Sequence, residues 1–248
     1  MRRHAPARAP IPDENWRSPV IYAVQAYEIP TLAVVGEEAR FPVRRIYAVG
    51  RNYAAHAAET GLGGAQGPIP GFSLKPADSI VTDGADFPYP PGTSELDPEV
   101  EMVVAIGKGG SDISRETAPE HIFGYAVGID MIRRDVMRDC IANQHSWDLC
   151  KSFDGASPCG PIHRVDQVGH LKSGAIWMEI NGERRQEGDL DDLIWDPAEI
   201  ISRLSKMSRM EPGDIIYTGT PRGPAPISRG DRLLAHIDGL WELDVNVA

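Results

Sequence analysis

The chain has 248 residues, a formal net charge of −11, 25 glycines and 21 prolines. At this length roughly three quarters of the unfolded chain's surface can be buried, so neither disulfides nor a structural metal is required for folding. The acidic balance argues against nucleic acid or an anionic membrane as partner, because phosphate-rich surfaces reward a basic face.

Cys140, Cys150 and Cys159 match no zinc pattern in number or spacing. They read as reduced thiols of a cytoplasmic protein, used for packing rather than as nucleophiles. The opening MRRHAPARAPIP carries arginines but lacks the apolar run of roughly 7–15 residues that a signal peptide needs. No stretch approaches the ~20 apolar residues of a membrane span. The first dozen residues are expected to be loosely attached.

Residues 1–40 read as a tail followed by a small strand-rich segment, in which SPVIYAVQAY and TLAVVG are short apolar runs. A catalytic domain is expected over 41–248. RRIYAVGRNY predicts a strand ending at Gly50, and AAHAAETG predicts one or two helical turns closed by Gly61. GLGGAQGPIPG is a Gly/Pro loop that opens no helix and lacks nucleotide-loop spacing; a mobile lid is expected over 54–70. FSLKPADSIV resumes extended structure, and EVEMVVAIG and FGYAVGIDM predict strands. Asp135 to Ala142 predicts a helix, and Trp147 to Cys159 an irregular stretch. GAIWMEING should run through an Asn-Gly turn into a hairpin with GERRQEGDL. PAEIISRLSKM places Ile200, Ile201, Leu204 and Met207 at helical spacing. DIIYTGTP, DRLLAHIDG and LWELDVNV are the closing strands. Many strands, few helices and no regular βαβ alternation predict an α+β, mainly β fold.

Three constellations carry chemistry. Glu99 and Glu101 share one face of a strand, and Asp130 ends another. Adjacent carboxylates repel unless one is protonated or a cation lies between them, and three carboxylates suit a hard cation. A solvent-facing Glu pair and a turn-capping Asp130 meet the same spacing. His56 and Glu59, three apart on a helical turn, could form a general base with its orienting carboxylate, or be unrelated surface groups. Lys151, in WDLCKSFDGASPCGP, could face an oxyanion or snorkel at the surface. Arg51, Lys75, Arg133, Arg134 and Arg222 lie beside these motifs, where an anionic substrate would need them, although ordinary surface ion pairs would also use such residues.

RIYAVGRNYAAHAAE, FSLKPADSIV, LDPEVEMVVAIGKGG, GYAVGIDMIRRD, CKSFDGASPCGPI, INGERRQEGDLDDLIW and GDIIYTGTP, in this order, resemble the fumarylacetoacetate hydrolase family from about Arg44 to the C-terminus. The resemblance implies a mixed β-roll of the family's C-terminal-domain type and a homodimer. It also implies Mg²⁺ or Mn²⁺ on Glu99, Glu101 and Asp130, a dyad of His56 and Glu59, and Lys151 as a further catalytic residue. Substrate contacts would come from Arg134 and Thr220, with Arg51, Lys75 and Arg222 as further candidates. The implied reaction is carbon–carbon hydrolysis of a small anionic diketo acid, with fumarylpyruvate from gentisate breakdown as the expected substrate. Oxaloacetate decarboxylation, a general acylpyruvase, a related enol–keto isomerase and a non-catalytic binding module are the alternatives. Two departures bear on the acyl group: Arg222-Gly223-Pro224-Ala225-Pro226 replaces a small Gly-rich stretch after TGTP, and Met137 stands where some relatives carry a polar residue.

Overall fold

The computed structural model describes residues 21–59, 70–82 and 85–248. The expected loose N-terminal dozen, most of the expected lid and the closing Gly61 lie outside these residues. In chain order the strands are β1 (Thr31–Ala33), β2 (Arg40–Pro42), β3 (Arg45–Gly50), β4 (Gly71–Lys75), β5 (Ile80–Thr82), β6 (Leu96–Ile106) and β7 (Ile122–Arg133). They continue with β8 (Ser157–Cys159), β9 (His163–Arg164), β10 (Ala175–Ile180), β11 (Glu183–Asp189), β12 (Asp214–Tyr217), β13 (Arg232–Ile237) and β14 (Leu243–Asn246). The helices are α1 (Ala54–Glu59), α2 (Arg134–Ala142), α3 (Asp148–Lys151), α4 (Val165–Val168) and α5 (Pro197–Met207).

The fold is α+β and mostly β. A mixed sheet runs β4-β3-β12-β6-β7-β8-β5, with β9 also on β7, and a second sheet runs β11-β10-β13-β14. Alternation in the two long central strands builds two apolar layers. Val100, Met102 and Val104 of β6, with Tyr125, Val127 and Ile129 of β7, join Ile176, Met178, Leu233 and Ala235 of the second sheet in the main core. Val103, Ala105 and Ala126 point the other way, into a layer with Ile46, Ile215 and Tyr217 that Leu32 and Phe41 of the β1–β2 ribbon close together with Val34, just after β1.

Pro98 sits inside β6 at no cost to the β6–β7 ladder. Leu96 O accepts from Ile227 N, Val100 N donates to the Gln186 side chain, and Met102 O accepts from Thr218 N. The even-numbered backbone groups therefore face away from β7, and Pro98 lacks only a donor that would have pointed the same way.

The Asn181-Gly182 turn has φ of 54° and 79° and joins Ile180 to Glu183 in register, as an Asn-Gly hairpin requires. Helix α5 starts at the Asp196 cap, whose carboxylate accepts from Glu199 N at 2.8 Å, with Pro197 in the first turn. Ile200, Ile201 and Leu204 are buried, but Met207, the last residue of the helix, is 58% exposed.

Two other expectations are corrected. Ile21, Tyr22, Val24 and Tyr27 form no strand and are exposed, since no described strand of this chain lies beside them to pair. The stretch from Trp147 to Cys159 is more regular than expected, containing the single turn α3 and strand β8. Cys150 is wholly buried and its Sγ–H donates to Trp147 O, which anchors that turn; Ser157–Cys159 pairs in parallel with β5.

Close strand approach is enforced at Gly124, where a Cβ would lie 2.2 Å from His163 O of β9. The neighbour is backbone, so a Gly124→Ala chain must separate β7 from β9. A loss of about 1–3 kcal/mol in unfolding free energy is expected, as for other overpacked interiors. Urea titration measures it, and an unchanged midpoint would contradict this account of the contact.

Candidate metal and catalytic centre

Registry places the first carboxylates. Glu99 of β6 is paired directly with Asp130 of β7, and Glu101 with Gly128. Residues opposite each other in an antiparallel pair share a face, so the three side chains converge. Each offers an oxygen within 4.8 Å of the others, and all three residues are buried.

The cluster is held by charge and by backbone. Lys75 of β4 has a fully buried side chain; its ammonium binds one oxygen of Asp130 and also Ala156 O. Lys151, the last residue of α3, binds the other oxygen of Asp130 and lies 3.5 Å from Glu99 Oε2. Gly219 N donates to Glu101 Oε2 at 2.6 Å. Gly219 has φ of 103°, and a Cβ there would meet Asn52 Cβ at 2.6 Å, so glycine is needed on both counts.

These surroundings separate the carboxyls. Burial, followed by the charges of Asp130 and Glu99, pushes Glu101 well above the usual carboxyl range. Burial also opposes the Asp130 charge, but Lys151 and Lys75 outweigh it and hold Asp130 below that range. Burial holds the Lys75 ammonium below its ordinary value. For Lys151, Asp130, Glu99 and Glu101 overcome burial and hold it above.

His56 of α1 is buried between two carboxylates. Its Nδ1 is 3.7 Å from Glu59 Oε2 and its Nε2 is 3.6 Å from Glu99 Oε1. These separations exceed direct hydrogen bonds, so the dyad is aligned rather than closed. Glu59 Oε2 also accepts from Gly223 N at 3.1 Å. Gly223 has φ of 95°, and a Cβ would meet Arg185 O at 2.3 Å, which explains how the unusual stretch after TGTP reaches the dyad.

Arg134 opens α2, donating to Asp97 Oδ2 at 2.8 Å and to Glu99 Oε1 at 3.2 Å. The helix start is fixed by Asp135, whose carboxylate accepts from Ser94 N, Val136 N and the Thr93 hydroxyl. Burial opposes the Asp135 charge, but these bonds together outweigh it and lower its pKa to about 2.

A cavity of about 200 Å³ brings most of these groups together. Glu99, Glu101, Lys151, His56, Arg134 and Thr220 line its polar side; Val49, Phe72, Leu74, Ile132, Met137 and Trp147 line its apolar side. Arg51 also lines it, from a left-handed backbone position with φ of 58°. Lys75 lies behind Asp130 instead of on the cavity wall, and Arg222 is exposed beyond it. Burial raises the Cys150 thiol to about 11, which suits packing rather than nucleophilic attack.

Asp97, which holds Arg134, and Gln186, which holds Thr220, support the candidate site from outside the cavity and were not revealed by the motifs. Asp97 shares the parity of Glu99 and Glu101, which is a usable signal. Gln186 is the one buried side chain of β11's first five residues, an uncharged position inside the charged run ERRQE.

The donor set fits a hard divalent cation such as Mg²⁺ or Mn²⁺: three convergent carboxylates, with no thiolate or imidazole among them. The cluster, the His–Glu pair and the lysine surround one cavity of a mixed β-roll and form the candidate enzyme site. The chain belongs to the fumarylacetoacetate hydrolase family: residues 45–248 match the model for the fumarylacetoacetate (FAA) hydrolase C-terminal domain. The chain is 39% identical over 176 residues to a fumarylpyruvate hydrolase of Ralstonia sp, covering 71% of this chain and 91% of that one. It is 36% identical over 204 residues to a mitochondrial oxaloacetate tautomerase of Mus musculus, covering 82% and 91% respectively. Among solved structures, fumarylpyruvate hydrolase from Pseudomonas aeruginosa in complex with Mn²⁺ and pyruvate superposes with a TM-score of 0.89 at 44% identity, covering 92% of this chain and 99% of that one.

The raised Glu101 carboxyl makes cation binding proton-linked, because a ligating carboxylate must give up its proton. Mn²⁺ affinity should climb as pH rises through the Glu101 pKa, with release of about one proton per ion below it. Calorimetry in buffers of different ionisation heat measures this release. Binding independent of both pH and buffer would contradict the assignment.

Proposed function

We propose that the protein hydrolyses the carbon–carbon bond of an acylpyruvate, with fumarylpyruvate as substrate and fumarate and pyruvate as products. The observation that carries the reading is His56 standing between Glu59 and Glu99 at the cavity wall, with Lys151 facing the same space. Glu99, Glu101 and Asp130 would hold Mg²⁺ or Mn²⁺, which when bound supplies Lewis-acid polarisation of the 2-keto oxygen and charge for the pyruvyl carboxylate.

The protein's own groups supply the rest. Glu59, 3.7 Å from Nδ1, would orient the imidazole once the pair closes, leaving Nε2 to take a proton from water. The water oxygen adds to the distal carbonyl carbon, and the Lys151 ammonium faces the oxyanion that forms. That oxyanion collapses back to a carbonyl, the bond to C3 breaks, and its electron pair leaves on the pyruvate fragment as an enolate, which is then protonated at C3. Arg134 and Thr220 orient the pyruvyl end. Arg51, from the cavity wall, is the favoured contact for the distal carboxylate, with Arg222 the alternative.

Oxaloacetate decarboxylation or tautomerisation is the second reading, supported by relatives bearing those names. The apolar side of the cavity favours the acylpyruvate, because a four-carbon diacid leaves Phe72, Ile132 and Met137 without an apolar partner. Gentisate-type degradation, a homodimer and a cytoplasmic location belong to the same proposal. The three thiols are free, and no described helix is long and apolar enough to cross a membrane.

Rates on fumarylpyruvate, maleylpyruvate, acetylpyruvate and oxaloacetate with Mg²⁺-loaded protein should rank fumarylpyruvate first. Oxaloacetate ranking above every acylpyruvate would reverse the choice. His56→Ala should lower hydrolysis by about 10²–10⁴-fold with Mn²⁺ affinity nearly unchanged. Loss of Mn²⁺ binding in that variant would refute the general-base role. Arg51→Met should lower kcat/KM on fumarylpyruvate by roughly ten- to a hundredfold and spare acetylpyruvate, which lacks the second carboxylate. Equal losses on both substrates would exclude Arg51 as the distal contact.

A further inference from the structure

Gln186 touches neither the carboxylate cluster nor the cavity, yet its carboxamide joins the strand carrying the cluster to the loop carrying Thr220. The side chain is wholly buried. Its Oε1 accepts from Val100 N at 2.9 Å, and its Nε2 donates to Thr220 Oγ1 at 2.8 Å and to Pro221 O at 2.9 Å. Val100 N–H can only donate and Pro221 O can only accept, so the network fixes which end of the amide is nitrogen.

That assignment determines the polarity of Thr220. An amide nitrogen has no lone pair to offer, so Thr220 Oγ1 must accept from Gln186. Its own proton is left to be donated elsewhere, and no acceptor for it is found among the described residues. Thr220 is 2% exposed and lines the cavity. The hydroxyl can therefore present its proton only inward, toward an oxygen in the cavity.

We propose that Gln186 is a positioning residue that makes Thr220 an obligate hydrogen-bond donor, selecting ligands that place a carboxylate or keto oxygen against it. The inference rests on the reading that a 2-keto acid occupies this cavity. The same carboxamide holds Val100, between Glu99 and Glu101, at a point where β6 has no strand on that side among the described residues: β12 pairs only from Val103 to Ala105. One side chain thus sets the donor and ties it to the backbone of the metal-ligand strand.

The test is a double-mutant cycle on oxalate, which carries the carboxylate and adjacent oxygen of a 2-keto acid but is not turned over. Affinity for Mn²⁺-loaded protein is measured by calorimetry for the parent, Gln186→Met, Thr220→Val and the double variant. Mn²⁺ affinity and thermal stability are measured alongside. Thr220→Val should weaken oxalate by roughly tenfold or more, the usual loss for a hydrogen bond to a charged group, while Thr220→Ser retains binding. Gln186→Met should weaken oxalate when Thr220 is present and add little to Thr220→Val. Equal losses in both backgrounds would reduce Gln186 to a structural role and overturn the proposal. If Gln186→Met does not fold, Gln186→Asn replaces it: the shorter side chain withdraws the amide donor from Thr220, and oxalate binding should fall alike. Parent-like oxalate binding by Thr220→Val overturns the proposal whatever the Gln186 variants do. Because oxalate binding needs no turnover, coupling without acylpyruvate hydrolysis would sink only the functional reading, and hydrolysis without coupling only this one.

Discussion

The rest of the site depends on keeping three buried carboxylates together against their mutual repulsion. Glu99 and Asp130 cannot move apart without breaking the register of β6 and β7, the longest of the described strands. Two ammonium groups on Asp130 offset part of the charge, and they come from different elements, one on β4 and one on α3. Removing one partner from such a cluster leaves a buried charge uncompensated, typically at 3–5 kcal/mol in other proteins, on the order of a whole domain's margin of stability. The cluster is therefore a demand on the fold, met because a central antiparallel pair resists displacement.

The same constraint explains why loops close the site with backbone groups. Glu101 takes its hydrogen bond from Gly219 N, and Glu59 takes one from Gly223 N. A backbone N–H adds a partner for a carboxylate without adding a full charge to a crowded interior. Both glycines have positive φ and no room for a Cβ. The segment around TGTP is thus set by local geometry as much as by the chemistry of Thr220. Asn52 locks it further: its side chain donates to Thr218 O and Trp195 O and accepts from Trp195 N.

Much of the site was legible because strand parity and helical spacing are local. Separations of two and three residues put Glu99 with Glu101 and His56 with Glu59 on shared faces, while the choice of these pairs over ordinary surface groups rested on the family resemblance. The Asn-Gly hairpin and the α5 cap were legible for the same reason. What escaped required knowledge of which distant segments meet. Lys75 reads as a candidate for the substrate, but pairing of β4 with β3 carries it behind Asp130. Gln186 lies beyond a register shift at Met178/Glu179, which breaks simple alternation across the β10–β11 hairpin. The apolar run from Ile21 to Tyr27 satisfies strand composition and yet stands exposed, because composition names a strand without naming its neighbour.

Net charge and local charge act on different scales here. The molecule carries −11 overall, while Arg51, Arg134 and Lys151 line the cavity together with Glu99 and Glu101. Arg134 and Lys151 are bound to those acidic neighbours, so the cavity is not a simple basic funnel. A divalent cation on the three carboxylates would change that balance, relaxing the hold of both cations on Glu99 and giving the polar side positive character. Anion binding at this cavity then becomes conditional on the cation, although both would share the same few residues. The acidic exterior disfavours anions in general, and a centre holding the cation would make the exception at one face of one sheet.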